Sequence, residues 1–421
     1  MTTPSSDVTF AQSGTGAVTR TVESRLRDTV SVMDFGAVAD GTTDDQPAIQ
    51  AAIDFLCGEG GGILFFPPGV YYCGSELSWD SAPVTLQGSG TSVQPAVGTV
   101  LQFPAGLGGA VRIQNGTLAL GGFSQVRDLV IRGSGTSAVS STDAATGIGA
   151  GLVIQASEVR VERVTVQQFE GNGCMILSHL STPTTSLNAN NCLLIGLACY
   201  NNLRSGLAIA GVDSNACSIV KLDSSANAEF GVYENSILGN VYVGAHFAGN
   251  GTAPIRIGAV SGYNRFYGCY KEVGTQLVVQ LDSGGVGQNE IDFNLAEGDG
   301  VSGHPLLVTD NTASQNNEIK LQNVRRRAAF GGDGGNGTFI ISPDTLLIRE
   351  GKQVQMQNAG TTANWFFSVS SGGDLVFSSA SNAIALPASR PNVVGSRGGN
   401  VALDSLLSAL ATMGLITNST T

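Results

Sequence analysis

Three carboxylates stand in the same phase of one repeating pattern. Asp223, Glu272 and Glu297 follow an asparagine (Asn215, Asn264 and Asn289) by eight residues each. If those asparagines mark equivalent places in a coil of stacked strands, Glu272 and Glu297 sit on adjacent turns, about 5 Å apart. Retaining glycosidases hold their two carboxyl groups about 5–5.5 Å apart. Asp223 would lie two turns from Glu272, about 10 Å away, just past the range that inverting enzymes use. Two adjacent carboxylates also repel, which lets one keep its proton and serve as a general acid. The competing reading is structural: solvent-facing turns of an acidic protein collect Asp and Glu. Glu229, Glu234, Glu290 and Asp292 are the alternate acids of the same region.

Aromatic rings crowd residues 230 to 293. A ring face packs on the apolar C–H face of a sugar, so outward rings there would line a glycan groove. Tyr233, Tyr263, Tyr267 and Tyr270 are the outward candidates, with Arg265 beside them. In the same phase Arg265 stacks on Glu290, an exposed ion pair between turns worth little for stability.

These positions depend on the elements that carry them. Asn191, Asn215, Asn240, Asn264, Asn289 and Asn317 recur at steps of 24, 25, 24, 25 and 28 residues. A period of this length means units that stack on their neighbours. The fixed leucine grid of leucine-rich repeats is missing, and so is a 3.6-residue period. Short strands of three to five residues, three to a turn, fit instead. Asparagine suits a tight turn because it bonds its own backbone and tolerates left-handed dihedrals, so stacked copies would form a ladder. Val159 to Phe169 alternates, with Val159, Val161, Arg163, Thr165 and Gln167 on one face, as a strand buried on its inner side should.

Ahead of the repeat, Gln46 to Leu56 reads as an amphipathic helix, with Ala48, Ile49, Ala52, Ile53 and Leu56 on one face. Thr43, Asp44 or Asp45 would cap it, and Pro47 is tolerated in the first turn. A strand, Ile63 to Phe66, follows and closes at Pro67-Pro68-Gly69. The combination Asp34-Phe35-Gly36-Ala37, Asp40-Gly41-Thr42-Thr43-Asp44-Asp45 and Phe66-Pro67-Pro68-Gly69-Val70-Tyr71 resembles the start of the right-handed parallel β-helices of the pectate-lyase-like superfamily, and phage tailspikes among them. The resemblance runs over about residues 8 to 330.

That resemblance implies an all-β fold: a right-handed parallel β-helix with an N-terminal capping helix, a small C-terminal β domain and a terminal helix. The expected domains are residues 1–31, an attachment segment toward a phage tail or baseplate protein; 32–327, the parallel β-helix; 338–390, a small β-sandwich or β-prism; and 400–416, an oligomerisation helix. The last has a stripe of Leu403, Leu406, Leu407, Leu410 and Met413, too short to stand alone. Tailspikes of the family are trimers, so a homotrimer is expected. The family also holds hydrolases, lyases and pure binders, so fold is better fixed than activity. The polygalacturonase motif set is absent, and no Asp cluster of the pectate-lyase kind lies in register with Arg256 or Arg265. The expected function is a tailspike that binds a host surface polysaccharide; whether it also cleaves it stays open at this point, and an enzyme would be a glycoside hydrolase using two carboxylates. The alternatives are a non-enzymatic virion protein and a secreted polysaccharide-degrading enzyme.

Composition bounds the partners. The chain has 421 residues, 57 of them glycine, without the period of three that collagen requires. Only 13% of residues are charged and the net charge is -12, which argues against a nucleic-acid groove, where backbone binding needs clustered Lys and Arg. The run Arg325-Arg326-Arg327 reads as a solvated or intersubunit patch. The seven cysteines show no tight Cys-X-X-Cys pair, and the three histidines show no metal spacing, so no metal or cofactor is expected. No stretch is long and apolar enough to insert in a membrane. With no signal segment at Met1, the expectation is a chain made in a host cytoplasm and carried on the virion.

Overall fold

In the computed structural model, residues 3–90, 98–114, 123–178, 188–272, 277–282 and 287–295 are described continuously. Farther on, the description is confined to ten strands between 306 and 420 and to Leu407 and Leu410. The chain divides into two units, Met1–Phe330 with Gly335–Ser342, and Gly331–Gly334 with Pro343–Thr421.

The first unit is a parallel coil with three strands to a turn. One turn reads Leu193–Ile195, Ala198–Tyr200 and Leu207–Gly211; the next reads Ser218–Val220, Asp223–Ser225 and Phe230–Ser236. Equivalent strands pair in parallel, with Leu193 on Ser218, then Val241, Arg265 and Glu290. Three sheets result. The first runs from Leu77–Trp79 through Phe230–Ser236 to Ala329–Gly332; the second contains Leu193–Ile195 and the third Ala198–Tyr200. The inner faces meet across the coil and exclude water. In Leu193–Ile195, Ala198–Tyr200, Ser218–Val220 and Asp223–Ser225 the middle residue is buried while its neighbours are half-exposed. Tyr242 stacks on Phe266 at 4.1 Å between ring centroids, one turn apart, in that core.

The corners are made by single residues in the left-handed region. Between the second and third sheets these are Asp128, Arg163, Gly196, Lys221, Gly244 and Gly268, with φ from 50° to 63°. A second column, Glu158, Asn191, Ala216, Gly239, Tyr263 and Gln288, opens each second-sheet strand, with φ from 54° to 74°. A third, Gln168, Asn201, Ala226 and Gly249, follows the third sheet. A single such residue re-aims the chain without lengthening the turn. This corrects the expected alternation of Val159 to Phe169. Arg160–Gln167 bends at Arg163 and serves two sheets, so the phase slips and Val161, Val164 and Val166 all point inward.

The residue after two of these corners is asparagine, and it forms ladders. Asn264 Oδ1 accepts the Asn240 backbone N–H at 2.9 Å, and Asn289 Oδ1 accepts that of Asn264 at 3.0 Å. Asn240 Oδ1 in turn accepts the Cys217 N–H at 2.8 Å. A second ladder joins Asn202, Asn227 and Asn250 by the same bonds, at 3.2 and 3.1 Å. Asn191 and Asn215 do not belong to the first ladder: Asn191 is the corner residue, and Cys192 and Cys217 fill the ladder position on their turns.

The open end is covered by the helix Gln46–Gly58, which buries Ile49, Ala52, Ile53 and Leu56 against Leu64 and its neighbours. Asp44, not Asp45, meets its first turn, accepting the Gln46 N–H at 3.1 Å. Asp45 is 1% exposed and instead accepts the N–H groups of Val38 at 2.6 Å and Ala39 at 3.0 Å. It clamps the loop that enters the cap. Asp45→Ala strands both donors, partly within reach of water, and should lower stability by about 1–2 kcal/mol, read as a lower urea midpoint.

At the N-terminus Thr9–Ala11 pairs antiparallel with Thr19–Thr21, and Thr21 caps the short helix Val22–Leu26. At the far end of the first unit Thr338–Ile341 pairs in parallel with Glu318–Gln322 and continues the coil. The second unit contains a four-stranded antiparallel sheet, Gln353–Gln357, Asn364–Val369, Leu375–Ser379 and Asn382–Leu386, and a parallel pair, Asn392–Gly395 with Thr417–Thr420. Of the expected terminal helix only Leu407 and Leu410 are described, both helical; the rest of its stripe lies outside the described residues.

Candidate functional site

The third sheet places Asp223, His246 and Tyr270 in one outward column on consecutive turns. Glu272 lies two residues past Tyr270, on the same outward face, in line with Ala248 rather than with Asp223. Its backbone N–H donates to Phe247 O at 2.8 Å. The eight-residue phase thus fails for Asp223, because the step from Asp223 to His246 is 23 residues where the pattern took 25. Glu297 lies outside the described residues.

What the face brings together is a chain of polar contacts. The Tyr200 hydroxyl donates to Asp223 Oδ2 at 2.7 Å. Burial first, and the Asp223 carboxylate second, push that phenol well above its usual range. Asp223 Oδ1 lies 3.1 Å from His246 Nδ1. On the other side of the imidazole, Nε2 lies 3.7 Å from Glu272 Oε1. Tyr270 stacks on the imidazole, with ring centroids 5.8 Å apart and planes 20° apart. His246 and Asp223 are about one-third exposed and the Glu272 side chain is 50% exposed, so the acid presents itself to solvent. His246 and Tyr200 were not singled out by sequence. The signal that would have found them is the 23-residue step that sets His246-Phe247-Ala248 on Asp223-Ser224-Ser225.

The other candidates divide between places. On the second sheet Arg265 Nε lies 3.3 Å from Glu290 Oε2, the ion pair that the register predicted, and Tyr267 donates to the same oxygen at 3.0 Å. Val241, Val243 and Tyr267 are 37–41% exposed on this face, and Tyr263 stands at its corner. Tyr233 is elsewhere, on the outer side of the first sheet, where the Arg256 guanidinium lies 4.7 Å from its ring centroid and pairs with Asp282 at 2.8 Å. Glu229 pairs with Arg204. Glu234 is fully buried inside the coil and is no surface acid. Its inward direction follows from its pairing with Ile209 and Ile257. Burial pushes its carboxyl up to about 7 against the pull of its hydrogen bonds. Among the described residues no group of three or more His, Cys, Asp or Glu side chains could hold a metal ion, and no helix is long and apolar enough to cross a membrane. Burial raises the thiols of Cys73, Cys174 and Cys199, which act as core side chains.

Comparison with known proteins decides the fold. Residues 29–172 match the family model "Rhamnogalacturonase A/epimerase, pectate lyase-like". The solved structure of ORF18 of Geobacillus virus E2 superposes with a TM-score of 0.56 at 16% identity, covering 90% of this chain and 83% of that one. The fold is that of the pectate-lyase-like parallel β-helices. Mannuronan C5-epimerase AlgE6 of Azotobacter vinelandii is 33% identical over 151 residues, 34% of this chain and 17% of that protein. Depolymerase 1, capsule KN3-specific, of Klebsiella phage KN3-1 is 31% identical over 173 residues, 38% of this chain and 21% of that protein. The chain thus spans about a fifth of the length of these relatives. The family match ends at residue 172, ahead of every residue in the Tyr200 to Glu272 column, so it assigns that column no role.

Proposed function

We propose that this β-helix is the body of a phage tail protein that binds a bacterial surface polysaccharide along its second and third sheets and hydrolyses it. The observation that carries the reading is the gathering of Tyr200, Asp223, His246, Tyr270 and Glu272 on the outer side of consecutive turns. Similarity to a capsule-specific phage depolymerase supports the substrate class. Tyr263, Tyr267, Tyr270 and Arg265 would carry the glycan past the acid; Tyr233, on the first sheet, would serve a separate contact. Glu272 is the proposed acid because it is the most exposed carboxyl of the column. Asp223, engaged by Tyr200, Ser225 and His246, is proposed to orient the imidazole between the two carboxyl groups rather than to activate the water. Residues 1–31 are proposed to attach the protein to the tail, and residues 400–416 to join three copies on the virion.

The test is incubation with capsular polysaccharides and a size-exclusion readout. Wild type should shorten one of them. Glu272→Gln should bind it within about threefold of wild type and cut it at least about 100-fold more slowly, the usual loss for a missing general acid. Retention of the glycan by wild type without released oligosaccharide would leave a binding protein and defeat the hydrolase.

A further inference from the structure

His246 is held in a way that no packing need explains. Its ring is fixed from both sides, by Asp223 at Nδ1 and by the stacked Tyr270. Asp223 is fixed in turn by Tyr200, and its Oδ1 also accepts from Ser225 at 2.7 Å. Nε2 is shielded from solvent and has no hydrogen-bond partner. A buried polar atom without a partner costs about 1–3 kcal/mol, so such an atom marks a place where something other than stability is served. Glu272 Oε1, 3.7 Å off, is the acid that Nε2 faces, and Glu272 itself reaches solvent.

We propose that His246 is the proton reservoir behind Glu272: Asp223 keeps the Nδ1 proton, and Nε2 exchanges its proton with the Glu272 carboxyl alone. The inference rests on the reading of Glu272 as the acid that meets the glycan. His246 touches no substrate; it is a positioning residue that acts through Glu272. An Asp-held Nδ1–H fixes the tautomer in which Nε2 is the base. A proton on Nε2 is then delivered to one acceptor, because shielding leaves no other route. The charged and titratable groups around the ring are Asp223 on the preceding turn, with Tyr200 behind it, and Tyr270 and Glu272 on the following turn. Lys271, between those two, turns inward.

The chemical balance closes with water alone. Hydrolysis breaks the bond from the anomeric carbon to the leaving oxygen and forms one from that carbon to a water oxygen. Glu272 gives the leaving oxygen its proton, the attacking water loses one to bulk, and the Glu272–His246 pair regains one from bulk through Glu272. The pair carries one exchangeable proton more than Glu272 alone, and that proton reaches the glycan only through Glu272.

His246→Gln should therefore leave glycan binding and the unfolding midpoint near wild type, lower kcat about 10- to 100-fold, and move the alkaline limb of the pH–rate profile toward acid. An unmoved limb overturns the proposal. A second measurement needs no substrate. With ¹⁵N-histidine, the His246 signals are those that His246→Gln removes from a protein of three histidines. Nδ1 should be the protonated nitrogen of the neutral ring, and the Nε2 signal should move in Glu272→Gln but not in Glu290→Gln, a change on the neighbouring sheet. An Nε2 signal indifferent to Glu272→Gln sinks the relay. If wild type cleaves no glycan while Nε2 still responds to Glu272, the coupling stands and only the hydrolase reading falls.

Discussion

Asn264→Ala should cost about 3–4 kcal/mol of the coil's stability. The side chain is fully buried and works in both directions. Its Oδ1 accepts the Asn240 N–H at 2.9 Å, and its Nδ2 donates to Asn289 Oδ1 and to Ser261 Oγ, both at 2.9 Å. Alanine leaves the Asn240 amide, on a residue 1% exposed, without an acceptor. That alone costs about 1–3 kcal/mol, and the two lost donations add about 1 kcal/mol each before relaxation. The neighbours cannot substitute, because Asn240 and Asn289 are committed to their own rungs. The control is Asn191→Gly. Asn191 occupies the same place in the sequence repeat but is an exposed left-handed corner, where glycine is at ease, so its change should stay within about 0.5 kcal/mol. Urea midpoints separate the two, and faster exchange of the Asn240 amide in Asn264→Ala would locate the damage. Equal losses in both variants would mean that the ladder does not hold the coil.

That contrast also shows what the sequence could and could not reveal. The period was legible because a stacked coil repeats its corners, and asparagine is favoured both at a left-handed corner and at the buried rung one residue later. Those two roles look alike in a sequence. Asn191 belongs to the first, and Asn240, Asn264 and Asn289 to the second. The cap was legible in full, since an amphipathic helix carries its own signal; only the work of Asp45 was hidden, because a clamp on two amides six and seven residues back depends on the loop's path. The second ladder, Asn202, Asn227 and Asn250, went unread for want of a strand motif beside it.

The site was legible only to within one or two residues, and that margin decides its chemistry. Turns of 23 to 25 residues move a side chain along the face by one position for each residue of slip, and a single-residue slip flips it inward. Glu272 lies just past a third-sheet strand and faces outward, level with Ala248. Asp223 moved by two positions, stayed outward, and so met a histidine instead of a second carboxylate. Glu234 shows the inward case: a charge type that sequence reading places outside sits in a column of isoleucines.

That buried carboxyl gives the coil one pH-dependent contribution, between about pH 4.5 and 7. Glu234 Oε1 accepts from the Ser236 hydroxyl at 2.6 Å and its backbone N–H at 3.2 Å, and Oε2 accepts from Tyr242 at 2.6 Å and Asn240 Nδ2 at 3.1 Å. Each bond favours the charged form, yet desolvation outweighs them and raises the group from 4.5 to about 7. The folded chain therefore holds this proton more tightly than the unfolded one. Its contribution is whole below about pH 4.5 and is lost as pH rises through about 7, a fall of about 3 kcal/mol in all. Glu234→Gln removes the titration. It gives up about 1 kcal/mol at pH 5, because its amide must face the Asn240 amide that is already fixed by the Cys217 rung. It should then hold its stability where wild type declines. The expected result is a crossing: the variant has the lower urea midpoint at pH 5 and the higher one at pH 8. Parallel curves would show that Glu234 stays in one charge state throughout, and that its four donors, not desolvation, set its proton affinity.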